Sequence, residues 1–267
     1  MCLIVVAFHY HPAYPLIIAA NRDEFYSRPT APLGYWTDHP HILGGRDLQS
    51  RGTWLAMDTS GRIGAITNYR DPKAMNSGAS GPSRGLLING FLTGKAPAEE
   101  YLEQVRADKD RYNGFNLLAG DFRELWWYAN TTDTAERLEP GIHGISNHLL
   151  NTPWPKVEKM KADFAARIEG EAPLSPEAVF EKMADTTRPP DNELPDTGID
   201  LEWERTLSPI FIRSPIYGTR CSSLIFIDHA GQAVFYERTF AVEGREAAVP
   251  SATRRIEFPL RPRGPRP

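Results

Sequence analysis

Hydrophobic periodicity changes repeatedly along this chain, from strand-like runs to helical spacing and back, and that order constrains the fold more than any single motif. The first half opens with an apolar run from Leu3 to Phe8, a reversal through "HYHPAY" and a second run from Pro15 to Ala20, which predicts a hairpin ending at "NRDE". A second predicted hairpin is "TWLAMD" and "IGAITNY" about "TSGR", with Gly61 as the left-handed residue of a short loop. Two helices are expected next, "SRGLLINGFLTG" with Ser83 as N-cap and "APAEEYLEQVRAD" with Tyr101, Leu102 and Val105 on one face. Strands follow in "FNLLAGD", "ELWWYAN" and "GIHGISN", the last ending at Asn147. From Thr152 the spacing of Val157, Met160, Phe164 and Ile168 predicts a long amphipathic helix behind a Thr-Pro start, and "SPEAVFEKMAD" a further one. Strands return in "YGTRCSSLIFID" and "QAVFYERTF". Strands alternating with blocks of helix give an α+β architecture of two hydrophobic sheets with helices on the outside.

With 267 residues, 41% of them hydrophobic, the chain can bury a large core in one domain, placed at 1–258, with a disordered tail over 259–267. The proline-rich "RPPDNELPDTGIDLEWE" reads as an ordered loop or lid. A net charge of −4 carries no basic footprint, which argues against a nucleic-acid partner. No apolar run is long enough to span a bilayer, and the first residues lack the basic start and small-residue cleavage site of a signal peptide, so a cytoplasmic location is expected. Cys2 and Cys221 could form at most one disulfide, which a reducing compartment disfavours.

A small residue at position 2 ordinarily lets an aminopeptidase remove the initiator methionine. Cys2 would then carry a nucleophilic thiol and a free α-amine, whose ordinary pKa of about 7.7–8.0 suits a base near neutral pH. Asn21, Arg22, Asp23 and Glu24 end the strand expected to pair with the first, so a guanidinium and carboxylates lie within reach of the chain start. Asn68 and Asn147 are placed at strand ends, where an amide can donate to an oxyanion. Arg220 enters a strongly apolar strand and must be paired if buried. "HYH" and "HPH" set two imidazoles at strand spacing, but the first lies in a turn and Pro40 breaks the second, so no metal site is expected. "LWWY" reads as core.

The blocks "MCLIVVA", "YPLIIAANRDEFYSRPT", "GGRDLQSRGTWLAM", "TNYRDP", "SRG", "YNGFNLLAGD", "GISN", "NTPWPK", "ELPDTGI", "EWER" and "YGTRCSSLIFID" resemble, in order, the NRDE-motif family, also called the transport and Golgi organisation protein 2 family. That family is similar to N-terminal-nucleophile hydrolases of the choloylglycine hydrolase and penicillin V acylase type. The resemblance implies a four-layer αββα sandwich of two antiparallel sheets with Cys2 as nucleophile. Asn68 and Asn147 fall at the oxyanion-side asparagines, and Arg220 at the late-strand arginine. In those hydrolases an arginine is followed three residues on by an aspartate; this chain has Asn21 and Glu24 at that spacing, with Arg22 and Asp23 between.

The residues and the resemblance together give an N-terminal-cysteine amidohydrolase acting on a non-peptide carbon–nitrogen bond of a small molecule. Cys2, Arg22, Asp23, Asn68, Asn147 and Arg220 are its catalytic candidates, Asn21, Glu24 and Tyr69 its binding candidates, and no cofactor is needed. The resemblance also implies an alternative, a non-catalytic carrier of haem or an acyl compound on the same scaffold. Specificity is expected in the loops "DPKAMNSGASGPS" and "RPPDNELPDTGID". Oligomeric state is not written in the sequence.

Overall fold

The structure, a computed structural model, describes residues 2–72, 81–170, 174–241 and 249–261. Two antiparallel sheets lie face to face. The first is six-stranded, and in chain order its members are β1 (Cys2–Phe8), β2 (Leu16–Phe25), β10 (Gly141–Ile145), β11 (Tyr217–Ile227), β12 (Gln232–Ala241) and β13 (Val249–Pro259), arranged β10-β1-β2-β11-β12-β13. The second takes its seven strands in sequence order: β3 (Thr30–Tyr35), β4 (Ile42–Asp47), β5 (Leu55–Asp58), β6 (Ile63–Asn68), β7 (Phe115–Gly120), β8 (Leu125–Ala129) and β9 (Thr134–Arg137).

Each sheet is covered on both faces, which is why β1 reads as a continuous apolar run and not as an alternation. Side chains of Ile4, Val6, Ile18, Ala20 and Ile225 pack between the sheets with Leu55, Ile63 and Trp127. Their neighbours Leu3, Val5, Ile17, Ala19 and Leu224 face the other way, onto α3 (Pro155–Glu169) and α4 (Pro176–Met183) through Val157, Met160, Phe164 and Phe180. Helices α1 (Gly85–Thr93) and α2 (Ala98–Ala107) cover the second sheet through Ile88, Phe91, Leu102 and Val105, against Phe115, Leu117 and Tyr128. The molecule is therefore the four-layer αββα sandwich, with a short helix α5 (Leu201–Leu207) at one end.

Several sequence expectations are corrected. "NRDE" does close the strand that pairs with the first, one residue before its end at Phe25 and the turn that follows, but that strand, β2, is a central one flanked by both β1 and β11. Ser83 makes no side-chain cap; the helix starts at Gly85, and only the Ser83 carbonyl takes part, accepting from the Leu86 amide. Strand β10 stops at Ile145, two residues short of Asn147. Strands β3 and β13 were not anticipated because Pro32 and a polar, exposed run obscure them, and both are sheet-edge strands, where such residues are tolerated. The sandwich also extends past 258: the Leu260 amide bonds to the Gly231 carbonyl and that of Arg261 to Thr59. The rest of the expected tail, 262–267, lies outside the described residues. Gly61 does take the left-handed conformation, φ 92°. The loop at 188–200 contains a short 3-10 turn and is tied to α5 by bonds from the Thr197 amide and hydroxyl to Glu204 and by the Arg205–Asp191 ion pair.

Candidate active site

The ladder between β1 and β2 puts Cys2 opposite Arg22, and alternation turns both side chains toward the second sheet. There they line a half-open cavity of about 100 Å³ with Asp23, Glu24, Arg28, Asp47, Trp54, Asn68 and Arg84. Arg22 is buried, with its guanidinium carbon 4.3 Å from the centre of the Trp54 ring and Nη1 donating to Thr30 Oγ1 at 3.0 Å. Its Nη2 stands 4.0 Å from both Glu24 and Asp47. Arg28 donates to Asp47 Oδ2 at 2.6 Å, and Glu24 lies 3.8 Å from the same arginine. Burial alone would raise Asp47, but the Ser50 and Gln49 amides and Arg28 hold its carboxyl below the usual range.

One wall is closed by backbone against backbone. A Cβ on Gly52 would meet the Gly85 carbonyl carbon at 2.7 Å, and one on Gly85 the Thr53 oxygen at 2.6 Å, so the start of α1 can approach the β4–β5 loop only because both positions are glycine. Arg84, just before the helix, donates to the Gly114 carbonyl at 3.0 Å; burial works against its charge, which the Glu24 carboxylate favours and Arg28 opposes.

The Cys2 thiol is pushed above its ordinary value, first by burial and also by the Asp23 carboxylate, against the pull of the N-terminal ammonium and Arg22. Burial thus opposes ionisation of this thiol, and a base beside it would ease removal of the proton. Cys221, opposite Arg22 on the other side, is buried in the inter-sheet core and raised well above the ordinary thiol range by burial and by Glu237.

The other candidates separate by depth. Asn68, the last residue of β6, lines the cavity. Asn147 does not; it is fully buried behind Asn68, with Nδ2 donating to the Asn68 carbonyl at 2.8 Å and Oδ1 accepting from Ser146 Oγ. The same Ser146 hydroxyl donates to the Cys2 carbonyl at 3.0 Å, so Asn147 and Ser146 together fix the two residues that line the site. Asn21 points to the helix side, where its amide donates to the Met183 and Ile210 carbonyls and its Oδ1 accepts from Ser222. Tyr69 stacks on His148, 5.0 Å between ring centres, away from the cavity wall.

Arg220 is also corrected. It is the extra residue where the β2–β11 register shifts between Thr219 and Cys221, and such a bulge swings its side chain aside. Its Nη1 donates to the carbonyls of Phe25, Tyr26 and Arg28 and does not reach the cavity. Its pairing is with carbonyl oxygens, not with a carboxylate of "NRDE". Of the two specificity loops, 73–80 of the first lies outside the described residues, and the second does not line the cavity.

Sequence reasoning missed Arg28, Asp47, Trp54 and Arg84. All four lie in or beside the blocks "RDEFYSRPT", "GGRDLQSRGTW" and "SRG", but separation along the chain gave no sign that they converge.

A family model described as Transport and Golgi organisation 2 matches residues 1–242. The chain belongs to that family. A Transport and Golgi organization protein 2 homolog from Bos taurus is 36% identical over 259 residues, 90% of this chain and 93% of the relative. The Drosophila melanogaster family protein is 28% identical over 265 residues, covering 90% and 92%. Among solved structures, the chain is similar to a Caenorhabditis elegans N-acylethanolamine-hydrolyzing acid amidase ortholog, with TM-score 0.46 and 11% identity over 84% of this chain and 92% of that one. A mutant conjugated bile acid hydrolase from Clostridium perfringens gives TM-score 0.43 and 10% identity over 100% and 99%. Among the described residues of this family member, no helix is long and apolar enough to cross a membrane.

Proposed function

We propose that this member of the family is a cytoplasmic N-terminal-cysteine amidohydrolase that cleaves a non-peptide amide of a small molecule. The observation that carries the reading is the convergence, on a residue that methionine removal would make N-terminal, of a thiol, a buried guanidinium, a carboxylate and a strand-end amide around one cavity.

The chemistry follows from the positions. Once Met1 is cleaved, the α-amine of Cys2 takes the thiol proton, and Sγ attacks the substrate carbonyl carbon. The resulting oxyanion is held by the Asn68 amide, with Arg22 supplying positive charge from the same wall. The C–N bond breaks, and the leaving nitrogen takes the proton back from the α-ammonium and departs as an amine. Water then attacks the thioester, releasing the acid and restoring the thiol. Glu24, Arg28, Asp47 and Arg84 keep the wall polar, which favours a substrate with polar groups beside the scissile bond.

The test is amine release from a panel of small N-acyl compounds by protein whose intact mass is lower by one methionine. Turnover that Cys2→Ala abolishes, and that an extra residue fused ahead of Cys2 also abolishes, is the expected result. Turnover indifferent to both changes would overturn the mechanism. Ligand retention without turnover across the panel would favour the carrier.

A further inference from the structure

Strand β6 ends at Asn68 on the cavity wall, and the two residues after it are held from both sheets. The Tyr69 amide donates to the Gly114 carbonyl at 2.9 Å, which prolongs the pairing with β7 by one residue. Asn147, past the end of β10 in the other sheet, grips the chain on either side of Tyr69. Its Nδ2 donates to the Asn68 carbonyl at 2.8 Å, and its own carbonyl accepts from the Arg70 amide at 2.8 Å. Each bond satisfies a backbone group that β6 itself leaves unpaired.

The Arg70 side chain ties the same segment to the helix layer. It is buried, and its Nη1 meets Glu204 Oε2 on α5 at 2.5 Å and donates to Thr197 Oγ1 at 3.4 Å. The guanidinium carbon lies 4.8 Å from the centre of the ring of Trp154, the residue before α3. Glu204 is fixed in turn, because its Oε1 accepts from both the amide and the hydroxyl of Thr197. The end of α5 is held by Lys156, the second residue of α3, which is 4% exposed and donates through Nζ to the Leu207 carbonyl at 2.9 Å. A strut therefore runs from α3 and α5 through Glu204 and Arg70 to the end of β6.

Burying two charges costs solvation that their attraction does not reliably return, and apolar replacements of such a pair are often as stable. Stability alone thus gives no reason for an ion pair at this place. A guanidinium held by a carboxylate, a hydroxyl and a ring face has one orientation, and that fixes the backbone it hangs from.

We propose that Arg70 is a positioning residue for Asn68: through its pair with Glu204 it locks residues 68–70 against Asn147, so that Asn68 keeps the place on the cavity wall from which it meets the oxyanion. The inference rests on the reading of Asn68 as the oxyanion donor. Arg70 itself does not line the cavity and touches no reacting atom.

The experiment uses the methionine-cleaved full chain and a double variant, Arg70→Met with Glu204→Leu, each with and without Asn68→Ala. Two quantities are read: kcat and KM for amine release from the N-acyl compound that the wild type turns over best, and hydrogen exchange of the 68–70 backbone amides by peptide mass. The expected result is a folded double variant with kcat lower by about tenfold or more and KM within about twofold, as for an interaction made only in the transition state. Exchange at 68–70 should be about tenfold faster, with residues 63–67 unchanged. In the Asn68→Ala background the same double change should lower kcat no further, because its effect passes through Asn68. A wild-type kcat, a loss of equal size without Asn68, unmoved exchange or a double variant that does not fold overturns the proposal. If exchange quickens as expected but the wild type releases no amine from any compound, Arg70 still fixes the strand end, and it is the amidohydrolase reading that fails.

Discussion

Cys2 and Cys221 stand opposite the same residue, Arg22, from the two strands that flank it, yet only Cys2 opens onto the cavity. One guanidinium thus sits between a cavity thiol and a core thiol, and the difference in access gives the first prediction. Iodoacetamide should label Cys2 at least tenfold faster than Cys221, with the rate still climbing above pH about 8.5, the ordinary thiol value, because burial raises both thiols. Peptide mapping of the alkylated protein measures both rates, and equal labelling contradicts the assignment of access.

Asn68 and Asn147 should respond differently to removal of the side chain. Asn68→Ala, at the cavity wall, is expected to lower turnover on the order of a hundredfold with little change in melting temperature. Asn147→Ala strips bonds from a fully buried group and should cost about 1–3 kcal/mol of stability. Kinetics and thermal melts on the two variants decide between these roles, and a stable but inactive Asn147→Ala would return it to the oxyanion.

Asp47 and Arg28 give an acid-side signature. A carboxyl held below its unfolded value contributes stability above that value, about 3.9, and loses it as pH falls through the folded value. Arg28→Ala should therefore cost about 1 kcal/mol at pH 7, discounted for the partial exposure of the arginine, and the gap from wild type should narrow below pH 4. Urea denaturation at a series of pH values reads this, and a constant gap counts against it.

Lys156 predicts the opposite slope at high pH. Its folded pKa lies below the unfolded one, so between about 8 and 10.5 the unfolded chain binds more protons and this residue makes stability rise with pH, by about 3 kcal/mol at most. Wild type minus Lys156→Gln isolates that rise from the tyrosines and thiols that titrate nearby. No difference in slope would mean the lysine is not depressed.

The Arg70–Glu204 pair, with both side chains nearly fully buried, should behave as a unit. Arg70→Met alone is expected to cost about 3–5 kcal/mol by stranding a buried charge, and Arg70→Met with Glu204→Leu should recover most of it. Chemical denaturation of the single and double variants measures the recovery.

The amino-acid sequence by itself determined the layers. Runs such as "LIVVAF" and "SLIFI" are apolar on both faces, and amphipathic segments such as Pro155–Glu169 have one apolar stripe, so sheets with helices outside are the arrangement that buries both. It also singled out Cys2 as a candidate, because a thiol directly after Met1 would gain a free α-amine on the same residue if that methionine were removed. Tertiary structure decided which charges meet that thiol. Within "NRDE", strand alternation sends Arg22 and Glu24 toward the cavity and Asn21 to the helices, a choice that hinges on a one-residue register. The bulge at Arg220 and the convergence of Arg28, Asp47 and Arg84 depend on long-range pairing. Lys156 was hidden for the same reason: on a helical face a lysine reads as solvated, and only the packing of α3 on β1 and β10, with the Leu207 carbonyl at the end of α5 over its ammonium, buries it.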